Sequence, residues 1–303
     1  MSGLPGTVMA REGHQYRVAL EGAEVLAVLR GKVKRRERES RVVVGDRVRL
    51  DRPEDGGTWT IAAVDPRHNL LERRVPEGRG TRPVAANLDR IFVLTAATDP
   101  ETIPQLVDRL LVLAEANEIP AAVIVNKVDL DPGQAVAERV RRAGYEVFPV
   151  SAATGAGLDR LLPELRGHVS LLTGPSGAGK SSLLNRIEPG LTLRTGAISE
   201  KVRRGTNTTV SATMVPLAAG GFLVDTPGFS EVGLWGIEPR ELARCFPEFR
   251  PLIDQCRFAD CRHLTEPGCA VRQAVSAGTV QDDRYQSYAI LLDELASAPR
   301  DWE

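Results

Sequence analysis

Lysine is scarce in this 303-residue chain: Lys32, Lys34, Lys127, Lys180 and Lys201 are all there are among 39 basic residues. Aromatic residues make up only 5%. No apolar run approaches the ~18 residues that a membrane-spanning helix needs, so a polytopic membrane protein is excluded. The N-terminus, Met1 to Gly6, has no basic start followed by an apolar core, so no secretory signal is expected. Cysteine numbers only four, far too few for a disulfide scaffold. Three of the four fall between Cys256 and Cys269, a grouping that points to metal rather than cross-links. The expected compartment is the cytoplasm.

What is present looks globular. Apolar residues make up 42% and charged residues 26%, which excludes a wholly disordered or collagen-like chain. The formal net charge of −1 conceals local asymmetry. Arg30, Lys32, Lys34, Arg35, Arg36, Arg38 and Arg41 form a basic run interrupted by two acids. From Gly236 to the end, 12 acids face 8 arginines.

Three textures divide the chain, giving expected domains at 1–68, 69–235 and 236–303. The first is a series of short β-runs (Gln15–Leu20, Arg41–Val44, Arg47–Leu50, Trp59–Val64) separated by turn signals, which predicts a small closed β-barrel. The segment from Arg67 to Arg82, polar and basic with Pro76, Gly78 and Gly80, reads as a linker. From Leu88, apolar strands alternate with helical patterns: Ile91–Thr95, Ile103–Asn117, Ala121–Val125, Gln134–Ala143, Glu146–Val150, Leu158–Leu165 and Val169–Thr173. Such alternation predicts an α/β domain with a mostly parallel sheet. The remainder is Pro-rich loop, a Cys cluster and a final helix near Asp283–Ala296.

Gly174-Pro175-Ser176-Gly177-Ala178-Gly179-Lys180-Ser181 fits the phosphate-binding loop pattern and lies between an apolar strand and a helix that begins Ser182-Leu183. Glycines let backbone N–H groups turn inward around phosphate oxygens, and the helix N-terminus adds partial positive charge. Lys180 can reach the β- and γ-phosphates, and Ser181 can ligate Mg²⁺. Asn126-Lys127-Val128-Asp129 follows a strand. The Asp129 carboxylate can accept from guanine N1–H and its exocyclic amine, a donor pair that adenine lacks. Asn126 can brace the loop, and the stem of Lys127 can cover the ring. At Ser151-Ala152 a backbone N–H can meet guanine O6. Asp225-Thr226-Pro227-Gly228 follows the apolar pair Leu223-Val224, placing a carboxylate for Mg²⁺ and a Gly228 N–H for the γ-phosphate. Between these elements, Thr208-Thr209 lies in a polar stretch of the kind that nucleotide orders, and either threonine can close over Mg²⁺. Arg194, Lys201, Arg203 and Arg204 in that stretch can meet an anion or water equally well.

The order of these elements is rotated. In an ordinary GTPase the phosphate loop comes first, whereas here Asn126–Asp129 and Ser151-Ala152 precede it. A circular permutation keeps the same site. Downstream, Cys256, Cys261, His263 and Cys269 offer three thiolates and an imidazole, the donor set of a closed, structural zinc site. Cys245 reads as a buried small apolar residue.

Together these motifs resemble the circularly permuted, small-ribosomal-subunit-dependent GTPases of the RsgA/YjeQ type, over almost the whole chain. The resemblance implies an oligonucleotide-binding (OB-like) barrel, a permuted P-loop GTPase domain and a zinc domain. It implies GTP as substrate, GDP and phosphate as products, Mg²⁺, one structural Zn²⁺, and action in late maturation of the small ribosomal subunit. The implied partners are that subunit and its rRNA, with no membrane and a monomeric chain. The basic run at Arg30–Arg41 would track phosphates, with Tyr16 or Trp59 to stack a base. Two positions depart from the family or from GTPase habit. Asn207 stands where the family has His, and Phe229, which cannot orient water, follows Gly228. Intrinsic turnover should therefore be low. An RNA-binding adaptor that uses guanine nucleotide only as a switch stays open as the alternative.

Overall fold

The computed structural model describes residues 3–21, 23–31, 33, 41–52, 57–74, 81–189, 212–226, 234 and 237–297. Thr208, Thr209, Asn207, Gly228, Phe229, Arg194, Lys201, Arg203 and Arg204 lie outside these residues, as do Lys32, Lys34, Arg35, Arg36 and Arg38.

Strands β1 (Leu4–Glu12), β2 (Gln15–Leu20), β3 (Ala23–Leu29), β4 (Arg47–Asp51) and β5 (Trp59–Val64) close into a barrel of order β1-β2-β3-β5-β4. Alternate residues fill it: Val8, Tyr16, Val18, Ala27, Val48, Leu50 and Ile61 are buried together. Tyr16 is therefore core, and its ring cannot serve as the stacking platform expected of it. Arg30 is also committed, pairing with Asp51 at 2.9 Å.

The sequence hides two features here. The expected linker is in part a hairpin, β6 (Leu70–Arg74) antiparallel to β7 (Thr81–Ala86). Its polar composition masks the pairing of buried Leu71 with buried Ala85. Conversely, Arg41–Val44 is not a strand, and only Val44 forms an isolated bridge, to Ala85. The Asp46 side chain takes the Val43 N–H at 2.8 Å, and Gly45 turns at φ +89°, where a Cβ would lie 2.0 Å from the Ala86 carbonyl oxygen. Arg67 then seals buried Asp46 with contacts of 2.7 and 2.8 Å.

The second sheet has the order β10-β9-β8-β11-β13-β12, built from β8 (Arg90–Ala96), β9 (Ala121–Asn126), β10 (Glu146–Pro149), β11 (Val169–Thr173), β12 (Thr213–Pro216) and β13 (Phe222–Asp225). All pairs are parallel except β12 with β13. Both faces are covered, which explains the near-continuous apolar strands. Ile91, Val93, Val123 and Val125 face one core, and Phe92, Leu94, Ala122 and Ile124 the other. The first face packs on the helix Pro104–Ala116, the second on Leu158–Leu165 and Lys180–Ile187.

The C-terminal part is a short-helix assembly ending in Asp282–Ser297. It docks on the helix Pro104–Ala116 through shared apolar core and a buried charge network. Arg284, with 0% exposure, donates to Asp108 at 2.7 Å and to both oxygens of Glu248 at 2.6 and 3.1 Å. Arg139 clasps the same Asp108 at 2.9 and 2.6 Å. Burial alone would raise the Asp108 carboxyl, but the Arg139 hydrogen bonds and the Arg284 and Arg139 charges hold it below its ordinary value.

Candidate functional site

The carboxyl ends of β8, β9, β11 and β13 lie side by side, since Asn126 pairs with Ala96, Thr173 with Val93, and Leu171 with Val224. Ligands of open parallel sheets bind at this edge. Each rotated motif emerges there: Asn126–Asp129 after β9, Ser151-Ala152 after β10, the phosphate loop after β11, and Asp225 at the end of β13.

Asn126 ties three of them together. Its side-chain amide is buried; Nδ2 donates to the Ala178 carbonyl at 2.9 Å, and Oδ1 accepts from the Ala152 N–H at 3.0 Å. Asp129 is exposed, and its Oδ1 accepts from the Ser151 hydroxyl at 2.5 Å. Lys127, at φ +66°, donates through Nζ to the main-chain carbonyl of Asp99.

The phosphate loop needs its glycines for close approach. Gly174, at φ +151°, has the Leu94 carbonyl oxygen 2.0 Å from where a Cβ would sit. At Gly179, φ +96°, a Cβ would lie 2.3 Å from Asn126 Nδ2. Ser176 and Ser182 are exposed, Pro175 and Ser181 half-buried. Lys180 begins the helix Lys180–Ile187, and its Nζ donates to the Gly174 carbonyl at 2.6 Å. Burial lowers the Lys180 ammonium, opposed by the charge of Asp225; burial raises the Asp225 carboxyl, opposed by Lys180. Asp225 Oδ2 and Thr226 Oγ1 are buried with no hydrogen-bond partner among the described residues. Orphaned oxygens next to a phosphate loop are the donors a hydrated Mg²⁺ takes, so the residues fit that ion.

The sulfur cluster is equally compact. One donor atom each from Cys256, Cys261, His263 and Cys269 lies within 4.8 Å of the others. His263 Nδ1 is 3.5 Å from Cys256 Sγ and 3.4 Å from Cys269 Sγ, and the two sulfurs are 4.0 Å apart. A tetrahedral zinc with bonds of ~2.3 Å to sulfur and ~2.0 Å to nitrogen needs edges of ~3.8 and ~3.5 Å, so the donor set fits. Tyr285 and Tyr288 donate to the His263 and Arg262 carbonyls at 2.7 and 2.8 Å, and Glu266 accepts from the N–H groups of Arg262, Leu264 and Thr265. Cys245 stands apart and buried, its thiol pushed up to about 11 by burial.

Sequence reasoning missed the loop after β8, whose Asp99 meets Lys127, and the Asp108–Arg284 network. Neither carries a motif. A charged residue, Asp108, set among the apolar positions of the helix Pro104–Ala116 was the one signal available for the second.

A family model described as RsgA GTPase matches residues 64–235. The small ribosomal subunit biogenesis GTPase RsgA of Gemmatimonas aurantiaca is 48% identical over 297 residues, covering 96% of this chain and 97% of that protein. Its namesake from Moorella thermoacetica is 40% identical, covering 98% and 99%. Among solved structures, YjeQ from Thermotoga maritima superposes with a TM-score of 0.81 at 34% identity, covering 98% of this chain and all of the other. YloQ, a circularly permuted GTPase, gives 0.76 at 30% identity, covering 99% and 97%.

Proposed function

The chain belongs to the RsgA GTPase family, and we propose that it hydrolyses GTP to GDP and phosphate in the late maturation of the small ribosomal subunit. One observation carries the nucleotide site: Asn126 bonds the phosphate loop through Ala178 and the guanine-side loop through Ala152. Two segments far apart in sequence are thereby held side by side, which supports a single nucleotide spanning both.

In this reading Asp129 accepts from guanine N1–H and the exocyclic amine, and a backbone N–H at Ala152 meets O6. The backbone of Gly174–Gly179 cradles the β- and γ-phosphates, and Lys180 exchanges its Gly174 carbonyl for phosphate oxygens. Ser181 and Asp225 hold Mg²⁺, joined by Thr208 or Thr209. Mg²⁺ supplies charge neutralisation between the phosphates. Gly228 N–H binds the γ-phosphate. With Phe229 after Gly228 and Asn207 before Thr208, the chain carries no evident water-orienting side chain there, so the subunit completes the site. Cys256, Cys261, His263 and Cys269 hold one zinc, which fixes the C-terminal loop structure. The expected rRNA contact is the basic segment ending at Arg41. No described helix is long and apolar enough to cross a membrane, and cytoplasmic residence as a monomer accords with the role. The relatives' shared GTPase name favours turnover over the switch-only adaptor.

Turnover with and without purified small subunits tests the proposal. Slow hydrolysis alone and a rise of tenfold or more with subunits is expected; no stimulation at saturating subunit overturns it.

A further inference from the structure

The loop joining β8 to the helix Pro104–Ala116 runs between the two ends of the nucleotide site. At one end the Asp99 carbonyl accepts from Nζ of Lys127, which stands two residues before Asp129. At the other, the Pro100 ring lies against the phosphate loop: a Cβ on Gly177 would sit 3.2 and 3.4 Å from its Cδ and Cγ. The base of the loop is held firmly. Ala97 N–H donates to the Asn126 carbonyl at 2.8 Å, the Thr102 hydroxyl donates to the Ala96 carbonyl at 2.6 Å, and Thr95 and Thr102 share a contact of 3.0 Å.

A nucleotide with its base at Asp129 and its phosphates at Gly174–Lys180 has only its sugar between those ends. A loop that touches Lys127 and Gly177 therefore passes the sugar. Its tip is Thr98-Asp99-Pro100, with Asp99 exposed. Asp99 adopts φ +41°, a left-handed conformation that Asp tolerates better than most residues. It is the sole carboxylate-bearing residue of the segment between β8 and Pro100. A carboxylate is an acceptor only, and ribose hydroxyls are the donors the sugar offers.

We propose that the Ala97–Pro100 loop is the sugar-facing wall of the nucleotide site and that the Asp99 carboxylate accepts a hydrogen bond from a ribose hydroxyl, so that the protein selects ribonucleotide over deoxyribonucleotide. This rests on the guanine-nucleotide reading above and adds a specificity-determining residue to it.

Equilibrium affinities of the full chain for GTP, 2′-deoxy-GTP, 3′-deoxy-GTP and ATP test it. The wild type should bind GTP about tenfold more tightly than at least one deoxy analogue, the size of a charge-assisted hydrogen bond. Asp99→Ala should bind GTP and that analogue alike, and Asp99→Asn, which keeps an acceptor oxygen, should restore part of the difference. A wild type that does not distinguish GTP from either analogue overturns the proposal, as does an Asp99→Ala protein that keeps the wild-type ratio. Equal affinity for ATP and GTP overturns the guanine reading itself, whatever the sugar preference.

Discussion

Asn126 and Gly179 meet across the site, 53 residues apart in sequence, with a Cβ on Gly179 placed 2.3 Å from the Asn126 amide nitrogen. The contact leaves no room for a side chain, so the Gly174–Ser181 loop and the Asn126–Asp129 loop hold each other in register. Gly179→Ala should therefore displace Asn126 as well as strain the φ of +96°. GTP affinity by titration calorimetry should fall tenfold or more while the circular dichroism spectrum is unchanged. Wild-type affinity would mean that the two loops are not coupled.

Asp129 is exposed and bonded only by Ser151 among the hydrogen bonds described, which leaves acceptor capacity for a base. Asp129→Asn presents an amide instead and should shift preference from guanine toward xanthine nucleotide, by about tenfold or more in competition binding. An unchanged base preference would remove Asp129 from base recognition.

Asp225 carries an opposite pair of effects. Burial raises its carboxyl, so ionising it opposes folding of the empty site. The favourable contribution of the protonated form is present below the ordinary carboxylate pKa and is lost as the pH rises through the raised one. At neutral pH, Asp225→Asn should thus raise the melting temperature of nucleotide-free protein and abolish the added stabilisation by Mg²⁺ with GTP. Thermal melts with and without nucleotide and magnesium read both; a variant that retains the Mg²⁺-dependent stabilisation would show that Asp225 does not hold the ion.

Asp108 joins Arg139 and Arg284 inside the interface with the C-terminal helix. Asp108→Ala removes the carboxylate that both guanidinium groups share, leaving Arg284 to Glu248 and Arg139 to Asp283, and should cost about 3 kcal/mol by chemical denaturation. Because the folded carboxyl is depressed, its stabilisation is full above the ordinary carboxylate pKa and fades as pH falls through the lower folded value. The wild type should lose this part of its stability only in strong acid, and the variant's stability should lack that acid dependence. A loss under 1 kcal/mol would show the network to be dispensable.

The four-residue sulfur and imidazole cluster should hold one zinc per chain by elemental analysis. Chelation, or Cys261→Ser, should unfold the segment from Arg250 to Ser276 first, read as accelerated amide exchange there. Metal-free protein with full amide protection in this segment would contradict a structural metal.

The motifs were legible in the chain because each is local. Gly174–Ser181, Asn126–Asp129 and the Cys/His spacing are each set by a handful of neighbouring residues. The strands Val169–Thr173 and helix Leu158–Leu165 show in periodicity because each buries its own apolar face. The hairpin of β6 and β7 was not legible, since each strand mixes apolar residues with charged ones (Glu72, Arg73 and Arg74; Arg82) and its pairing depends on Leu71 meeting Ala85. Nor was the place of Tyr16, whose ring counts as a base-stacking surface or as core depending only on barrel closure.

By itself, the sequence determined which groups are available: a glycine-rich loop of phosphate-binding pattern, the Asp129 carboxylate, three thiols with an imidazole, and their rotated order. Only the tertiary structure decided that Asn126 would join Ala178 to Ala152, that Asp99 would lie beside Lys127, and that Arg284 would be buried against Asp108. Those relationships bridge up to 176 residues of chain, and such contacts follow from strand order and packing rather than from any local pattern.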